Sequence, residues 1–417
     1  MTEPGPQQPG SQQPGSEQPG SDHEGPLAGV RIVEVAIALT GPYAVALLAD
    51  QGAQVVKVER PGFGDIGRYV GVSVNGTSAL YTMCNRGKRS IALDIHRDEG
   101  RAIVRALARE ADVFVQNFRP GVVDRLGLGY DALAAENPGL VYASLSGFGP
   151  EGPYASKGAY DTVIQAYAGL ASSQADPETG TPRFLNQTAA DKVTSLYAAQ
   201  AITAALFARE RGRGGQHLHL SMLDAVVSFL WADAAGNEAL LDADGTMKSS
   251  FVSNFRPFRF IDGWGIATPT SDADFSGMCR AFGVDGYDDP LVATIVERVR
   301  HPVETRAVMA RCYEAAEHLT TTEAMERMEA LRVPCGVVLS PSELVEDPHA
   351  RAIGLFEDSD DPVVGRVRRP RHPARFATTT ARLGGPAPAL GQQTDEVLRE
   401  LGLGDQIESL RSSGIVA

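Results

Sequence analysis

Residues 30–36 read VRIVEVA, a loop through Thr40-Gly41-Pro42 opens an apolar helix that ends near Gly52, and Gln54–Glu59 reads QVVKVE. Runs rich in Val and Ile, bounded by turn residues, predict strands. A strand, a helix and a strand within about thirty residues form a βαβ unit, whose right-handed crossover implies a parallel sheet. The alternation continues down the chain, with a short strand at 89–94, a helix at 98–110, a strand at Val113–Gln116 and another at 140–145. Repetition of this kind predicts an α/β fold built on an open, doubly wound, Rossmann-like sheet.

Beyond it, a helical pattern runs from Asp191 to about Arg211, with apolar residues at Val193, Leu196, Tyr197, Ala201, Ala204 and Phe207. A glycine-rich turn at 212–215 follows, then a strand at 216–220 and a helix from about Met222. After Lys248 the texture changes. Residues 258–266, FRFIDGWGI, predict a β-hairpin turning at Asp262-Gly263. Helices and a strand at 333–339 complete a smaller α+β unit, assigned to 245–340 and inserted into the larger one. The large domain then spans 26–244, and 341–417 returns to it. The first residues differ from all of this, because QQPGS at 7–11 repeats at 12–16 and, as EQPGS, at 17–21. Such a tract cannot bury enough apolar surface to offset its chain entropy, so 1–25 is expected to be a disordered tail.

A chain of 417 residues exceeds one ordinary compact domain, and its 43% apolar content suffices for a real core. No apolar run approaches the ~20 residues of a membrane-spanning helix. No basic segment leads into an apolar one at the N-terminus, so a secretory signal is not expected. Cys84, Cys279, Cys312 and Cys335 form no C-x-x-C pair, which argues against a zinc site or disulfide framework and fits reduced thiols in the cytoplasm. The net charge of −14 argues against nucleic acid as a partner. It does not exclude an anionic ligand, since a few local arginines can hold phosphates on an acidic protein.

Several familiar motifs are missing. The first βα turn reads Ala36-Ile37-Ala38-Leu39-Thr40-Gly41-Pro42, without the G-x-G-x-x-G that cradles a dinucleotide pyrophosphate. Ser144-Leu145-Ser146-Gly147 is not a nucleophile elbow. His217 and His219 alternate along a strand, but with no third ligand in view they read as a structural pair.

Taken in order, a set of short segments resembles the class III CoA-transferases, the group that includes formyl-CoA transferases and carnitine CoA-transferases. The segments are Pro26-Leu27-Ala28-Gly29-Val30, Gly41-Pro42 with its Leu-Leu-Ala-Asp helix, Lys57-Val58-Glu59-Arg60-Pro61, Asn85-Arg86-Gly87-Lys88-Arg89-Ser90 and Asn117-Phe118-Arg119-Pro120-Gly121. They continue through Ser146-Gly147-Phe148-Gly149, Tyr160-Asp161, Ala189-Ala190-Asp191, Met222-Leu223-Asp224-Ala225 and Asp347-Pro348-His349-Ala350-Arg351. The resemblance covers nearly everything from Pro26 onward.

What the resemblance implies is a transfer of coenzyme A from an acyl-CoA donor to a carboxylic acid acceptor. Asp191 falls on the family's catalytic aspartate, which forms an anhydride and then a thioester. No cofactor is bound permanently; the CoA thioester is a substrate. Arg60 and Arg125 align with CoA-contacting arginines, Asn117 with a CoA-contacting asparagine, and Ala38, Leu39 and Leu93 with pocket-wall positions. Tyr160 and Asp161 align with a tyrosine–acid pair lining the site. Arginines suit phosphates because the guanidinium donates a planar fork, and Arg119 and Arg89 are also available. For each arginine the plain alternative is a solvated surface charge, the favoured reading for Arg89. For Asp191 the plain alternative is a helix N-cap, and a carboxylate there is expected to be kept ionised by the helix dipole. For the pair it is Tyr160 as core and Asp161 as cap.

Two departures from the family pattern bear on specificity. The glycine-rich lid of the oxalate-specific members is not evident in Asp242-Ala243-Asp244-Gly245-Thr246, and Gly158 stands where some members have a lysine. The related 2-methylacyl-CoA racemases share the fold but need two proton carriers. Their histidine position holds Tyr160 here, and no histidine lies between His96 and His217. A CoA-thioester-binding protein without chemistry is the third reading. The family's interlocked homodimer is expected as the assembly.

Overall fold

The computed structural model describes residues 25–242, 245 and 255–417. The expected tail, save Gly25, lies outside the described residues, as do most of the lid-like stretch and the boundary near Lys248.

Six strands build the central sheet: β1 (Arg31–Glu34), β2 (Gln54–Glu59), β3 (Lys88–Ala92), β4 (Val113–Gln116), β5 (Val141–Ser146) and β6 (Gln216–Ser221). Their spatial order is β3-β2-β1-β4-β5-β6, and every neighbouring pair is parallel. This is the doubly wound order, in which the chain reverses direction across the sheet between β1 and β4. Ligands in such sheets bind outside the carboxyl ends of the strands at that reversal. β1 is shorter than the predicted 30–36 because the ladder ends at Glu34, although the Val35 N–H still reaches the Val115 carbonyl at 2.8 Å.

Both faces of the sheet are covered. On one, Ile32, Val55, Val113, Val141 and Ala143 pack under α1 (Thr40–Ala49) and under α4 (Ala189–Ala208). On the other, Val33, Val56, Ile91, Phe114 and Tyr142 pack against α2 (Asp98–Arg109) and against Val397, Leu398, Ile407 and Leu410. Helix α2 forms because Ile103, Val104 and Leu107 share one face, while Asp98 and Glu99 begin it and Arg109 ends it in keeping with the helix dipole. Helix α4 buries a stripe of mostly small residues, including Ala190, Thr194, Ala198 and Ala205, so that it lies close against α1. Gly41 lets the start of α1 lie close over the end of β1, since a Cβ there would stand 2.3 Å from the Cβ of Ala36. Two further helices matter to the site, α3 (Asp161–Tyr167) and α5 (Met222–Trp231).

A separate apolar core holds Phe258, Phe260, Phe275, Met278 and Met328. Its antiparallel sheet orders β9-β8-β7, from β7 (Phe258–Arg259), β8 (Trp264–Ala267) and β9 (Cys335–Val337). The hairpin does turn at Asp262-Gly263, where the Phe260 N–H reaches the Gly263 carbonyl at 2.9 Å. Further on, an acidic and a basic strand pair as β10 (Phe356–Asp361) and β11 (Gly365–Pro370). Residues 390–417 then run along β3, where the Ser90 N–H donates to the Gln393 side chain at 2.9 Å.

Candidate active site

The loop after β1 and the loop after β4 meet at the reversal point. Asn117 joins them with two hydrogen bonds, accepting from the Ile37 N–H at 2.9 Å and donating to the Ile37 carbonyl at 2.8 Å. Ala38 adopts a left-handed φ of 65°, sparsely populated for a residue with a Cβ. Leu39 is buried just before α1. Thr40, the first residue of α1, then faces Asp191 and donates its hydroxyl to Asp191 Oδ1.

Asp191 is not a helix N-cap. Helix α4 begins at Ala189, which makes Asp191 its third residue, and Thr188 at the cap position makes no side-chain cap. The capping task falls to Asp161, whose Oδ2 accepts the Asp191 backbone N–H at 3.0 Å. A carboxylate from one helix thus satisfies an amide at the start of another, favourable because that end carries partial positive charge. Gln165 holds Asp161 in turn, donating to Asp161 Oδ1 and to the Gln187 carbonyl while accepting from the Leu185 N–H at 3.0 Å. Ser195, one turn along α4, donates to the carbonyls of Thr40 at 2.7 Å and Asp191 at 2.8 Å. Two short helices and a loop are therefore tied to the first turn of α4.

Asp191 is ionised at neutral pH as expected, but its surroundings raise its carboxyl where a helix start would lower it. Burial pushes its carboxyl up to about 6; the Thr40 hydroxyl opposes the rise and the nearby Asp161 charge adds to it. At neutral pH about nine-tenths of it is still the carboxylate. Among the described residues no hydrogen bond is directed at Oδ2, which leaves that oxygen available to attack an electrophile.

Tyr160 and Asp161 lie in different surroundings. Tyr160 is 81% exposed and so is not core, whereas Asp161 is 5% exposed and is bonded to the start of α4. Leu93 is likewise corrected. It is 1% exposed in the core beside Val416, so its side chain lines no open pocket. Among the described residues Arg60, Arg119 and Arg125 are in no ion pair, and all three are exposed. Arg119 lies over Gly158, where a Cβ would stand 2.7 Å from its guanidinium. Arg89, expected as a solvated surface charge, is partly exposed and pairs with Glu396 at 3.0 Å and Glu400 at 2.6 Å.

The rings of His217 and His219 lie 3.8 Å apart, tilted by 42°, and His217 shares a 2.8 Å hydrogen bond with Ser144. Burial and the neighbouring His219 push His217 down to about 4, so it is neutral near pH 7. The described residues contain no group of three or more His, Cys, Asp or Glu side chains placed to hold a metal. Nor do they contain a helix long and apolar enough to cross a membrane.

A carboxylate half-freed at the reversal point of a doubly wound sheet, with exposed arginines following β2 and β4, is a fold-level hint only. What decides the family is a match along the sequence, for the model of CoA-transferase family III covers residues 27–394. The chain belongs to that family. As a family III CoA-transferase it is similar to the succinate–glutarate CoA-transferase of Agrobacterium fabrum, 36% identical over 90% of this chain and 96% of the other. It is also similar to a formyl-CoA:oxalate CoA-transferase of Rhodopseudomonas palustris, 33% identical over 94% of this chain and 97% of the other. A crystal structure of a CAIB/BAIF family protein from Brucella suis superposes with a TM-score of 0.78 at 32% identity, covering 90% and 99% of the two chains. The CoA-transferase therefore carries the mixed α/β fold with a parallel central sheet that its sequence predicted.

Reading the sequence missed Thr40, Gln165 and Ser195 as partners of this site. Only Thr40 left a signal, as a polar residue at the opening of an otherwise apolar helix.

Proposed function

We propose that this CoA-transferase moves CoA from a thioester to a free carboxylic acid with Asp191 as nucleophile. The observation that supports the reading is the Asp191 carboxylate itself, with Oδ1 tied to Thr40, Oδ2 unclaimed and its backbone clamped by Asp161. Asp191 Oδ2 attacks the thioester carbonyl, the carbon–sulfur bond breaks, and CoA leaves as a thiolate beside a mixed anhydride. The thiolate attacks the aspartyl carbonyl of that anhydride, which expels the donor carboxylate and leaves an aspartyl-CoA thioester. The acceptor carboxylate attacks this thioester to form a second anhydride and release the thiolate once more. Attack of the thiolate on the acceptor carbonyl then yields the new acyl-CoA and frees Asp191. No step changes an oxidation state, so no redox group is required.

Exposed and unpaired, Arg60, Arg119 and Arg125 are the groups proposed for the phosphates of CoA, with Asn117, Ala38 and Leu39 forming the wall at the reversal point. Relatives named for succinate, glutarate and oxalate make dicarboxylates the first acceptors to try. A homodimer is proposed as the assembly, supported by the exposure of Leu196, Phe207, Phe229 and Trp231 on α4 and α5. Racemisation is disfavoured because it needs two proton carriers, and Tyr160 stands where that branch has its histidine.

Hydroxylamine added during incubation with a panel of acyl-CoAs tests the reading. An aspartyl hydroxamate on the Asp191 peptide, absent without thioester, is expected. Thioester binding with α-proton exchange from deuterated water and no adduct would hand the site to the racemase reading. Binding with neither signal would leave a CoA-binding protein.

A further inference from the structure

Four formal charges lie wholly buried beneath the loop that carries Thr40. Glu34 ends β1, Lys57 lies opposite it on β2, Lys88 begins β3 and Asp65 follows β2, and the side chain of each is 0% exposed in its ion pair. Alternation along the strands turns Glu34 and Lys57 to the side of Ile32 and Val55, under α1. The Lys57 ammonium has three partners, Glu34 Oε1 and Asp65 Oδ2 at 2.9 Å each and the Ala36 carbonyl at 2.8 Å. Lys88 also has three, Glu34 Oε2 at 2.6 Å, the Pro42 carbonyl at 2.9 Å and Asn85 Oδ1 at 3.0 Å. Asp65 completes the set by accepting from the Ala38 N–H at 2.7 Å and the Gly67 N–H at 2.8 Å.

These contacts hold the loop at three backbone points: the Ala36 carbonyl, the Ala38 amide and the Pro42 carbonyl. Between them lie the left-handed Ala38 and the hydroxyl of Thr40. An apolar cluster of the same volume is commonly as stable as a buried ion network or more so, so stability alone does not account for one. Resting on Asp191 as the nucleophile, we infer that Lys57, Lys88, Glu34 and Asp65 are positioning residues, which fix the loop so that Thr40 binds Asp191 Oδ1 and leaves Oδ2 for the thioester.

The test compares the intact protein with the charge-balanced pair Glu34→Gln/Lys88→Met, and separately with Thr40→Val and Thr40→Ser. The Asp191 titration is read without catalysis, from the pH-dependent difference in melting temperature between each protein and its Asp191→Asn counterpart. A carboxylate that loses one hydroxyl donor should titrate about one to two pH units higher. The double variant is expected to melt no lower than the parent, to titrate higher like Thr40→Val, and to lose kcat more than KM. Thr40→Ser is expected to titrate like the parent. A folded double variant with an unmoved Asp191 titration overturns the inference. If the double variant does not fold, the network is structural and the inference falls. An unmoved titration in Thr40→Val overturns it as well, whatever the double variant does. A shifted titration in a protein that forms no hydroxamate leaves the positioning intact and removes the nucleophile reading instead.

Discussion

The carboxylate of Asp161 accepts the backbone amide of Asp191 at 3.0 Å, so one acid anchors the residue whose own carboxyl is proposed to react. Removing it acts on two levels. Asp161→Ala strips a cap from α4 and is expected to cost about 1–2 kcal/mol, seen as a lower melting temperature. Asp161→Asn keeps an acceptor but removes the charge that raises the Asp191 carboxyl. Its pH–rate profile should therefore have an acid limb displaced downward from that of the parent.

The acid limb of the parent follows from the same site. Burial holds Asp191 at about 6, and only the ionised form attacks. The rate of adduct formation should rise tenfold per pH unit below that value and flatten above it. An acid limb near pH 4 would mean that the carboxyl is solvated when substrate is bound.

Stability should run the opposite way. A folded-state value above the ordinary 3.8 means that the folded protein binds this proton more tightly than the unfolded chain. The favourable contribution is whole below pH 3.8 and is lost as pH rises through about 6. At pH 8 the ionised carboxylate costs the fold about 3 kcal/mol, an upper bound because part of it is solvated. Asp191→Asn should thus abolish turnover and melt higher than the parent at pH 8, with the gain gone at pH 4.

Arginine substitutions separate ligand contacts from structural pairs. Arg60→Ala and Arg125→Ala break no ion pair among the described residues, so their melting temperatures should stay put. Each is expected to raise KM for acyl-CoA by about tenfold or more, the worth of a charge-assisted hydrogen bond. Arg89→Ala removes only partly exposed pairs to Glu396 and Glu400, so KM should not change.

Local chemistry explains which parts of the fold were legible. β2 and β4 match their predicted limits because their Val-rich runs are buried on both faces and flanked by polar turns. The first turn of α4 was misread because Asp191 is a good cap by type, yet the helix already runs through Ala189 and Ala190. Tyr160 and Asp161 looked like one unit in sequence, but adjacent residues at a helix start project to different sides. Periodicity gives no sign that Lys57 and Glu34 are buried partners, because a charged residue in a strand reads the same whether it is paired or solvated. Their meaning depends on Lys88 and Asp65, which come from other segments, and no local pattern joins them.

The pairing of β3 with the last stretch of the chain also sets a timetable. Ser90 meets Gln393, and Ala92 meets Thr394, across about three hundred intervening residues. During synthesis the part of the apolar face beside β3 that α2 does not cover waits exposed until Val397, Leu398, Ile407 and Leu410 emerge. Contacts so distant in sequence form slowly, because a long loop must close first. A chain held on the ribosome after β6 but before residue 390 would thus present a sheet that α2 covers only in part on that side, a natural client for chaperones.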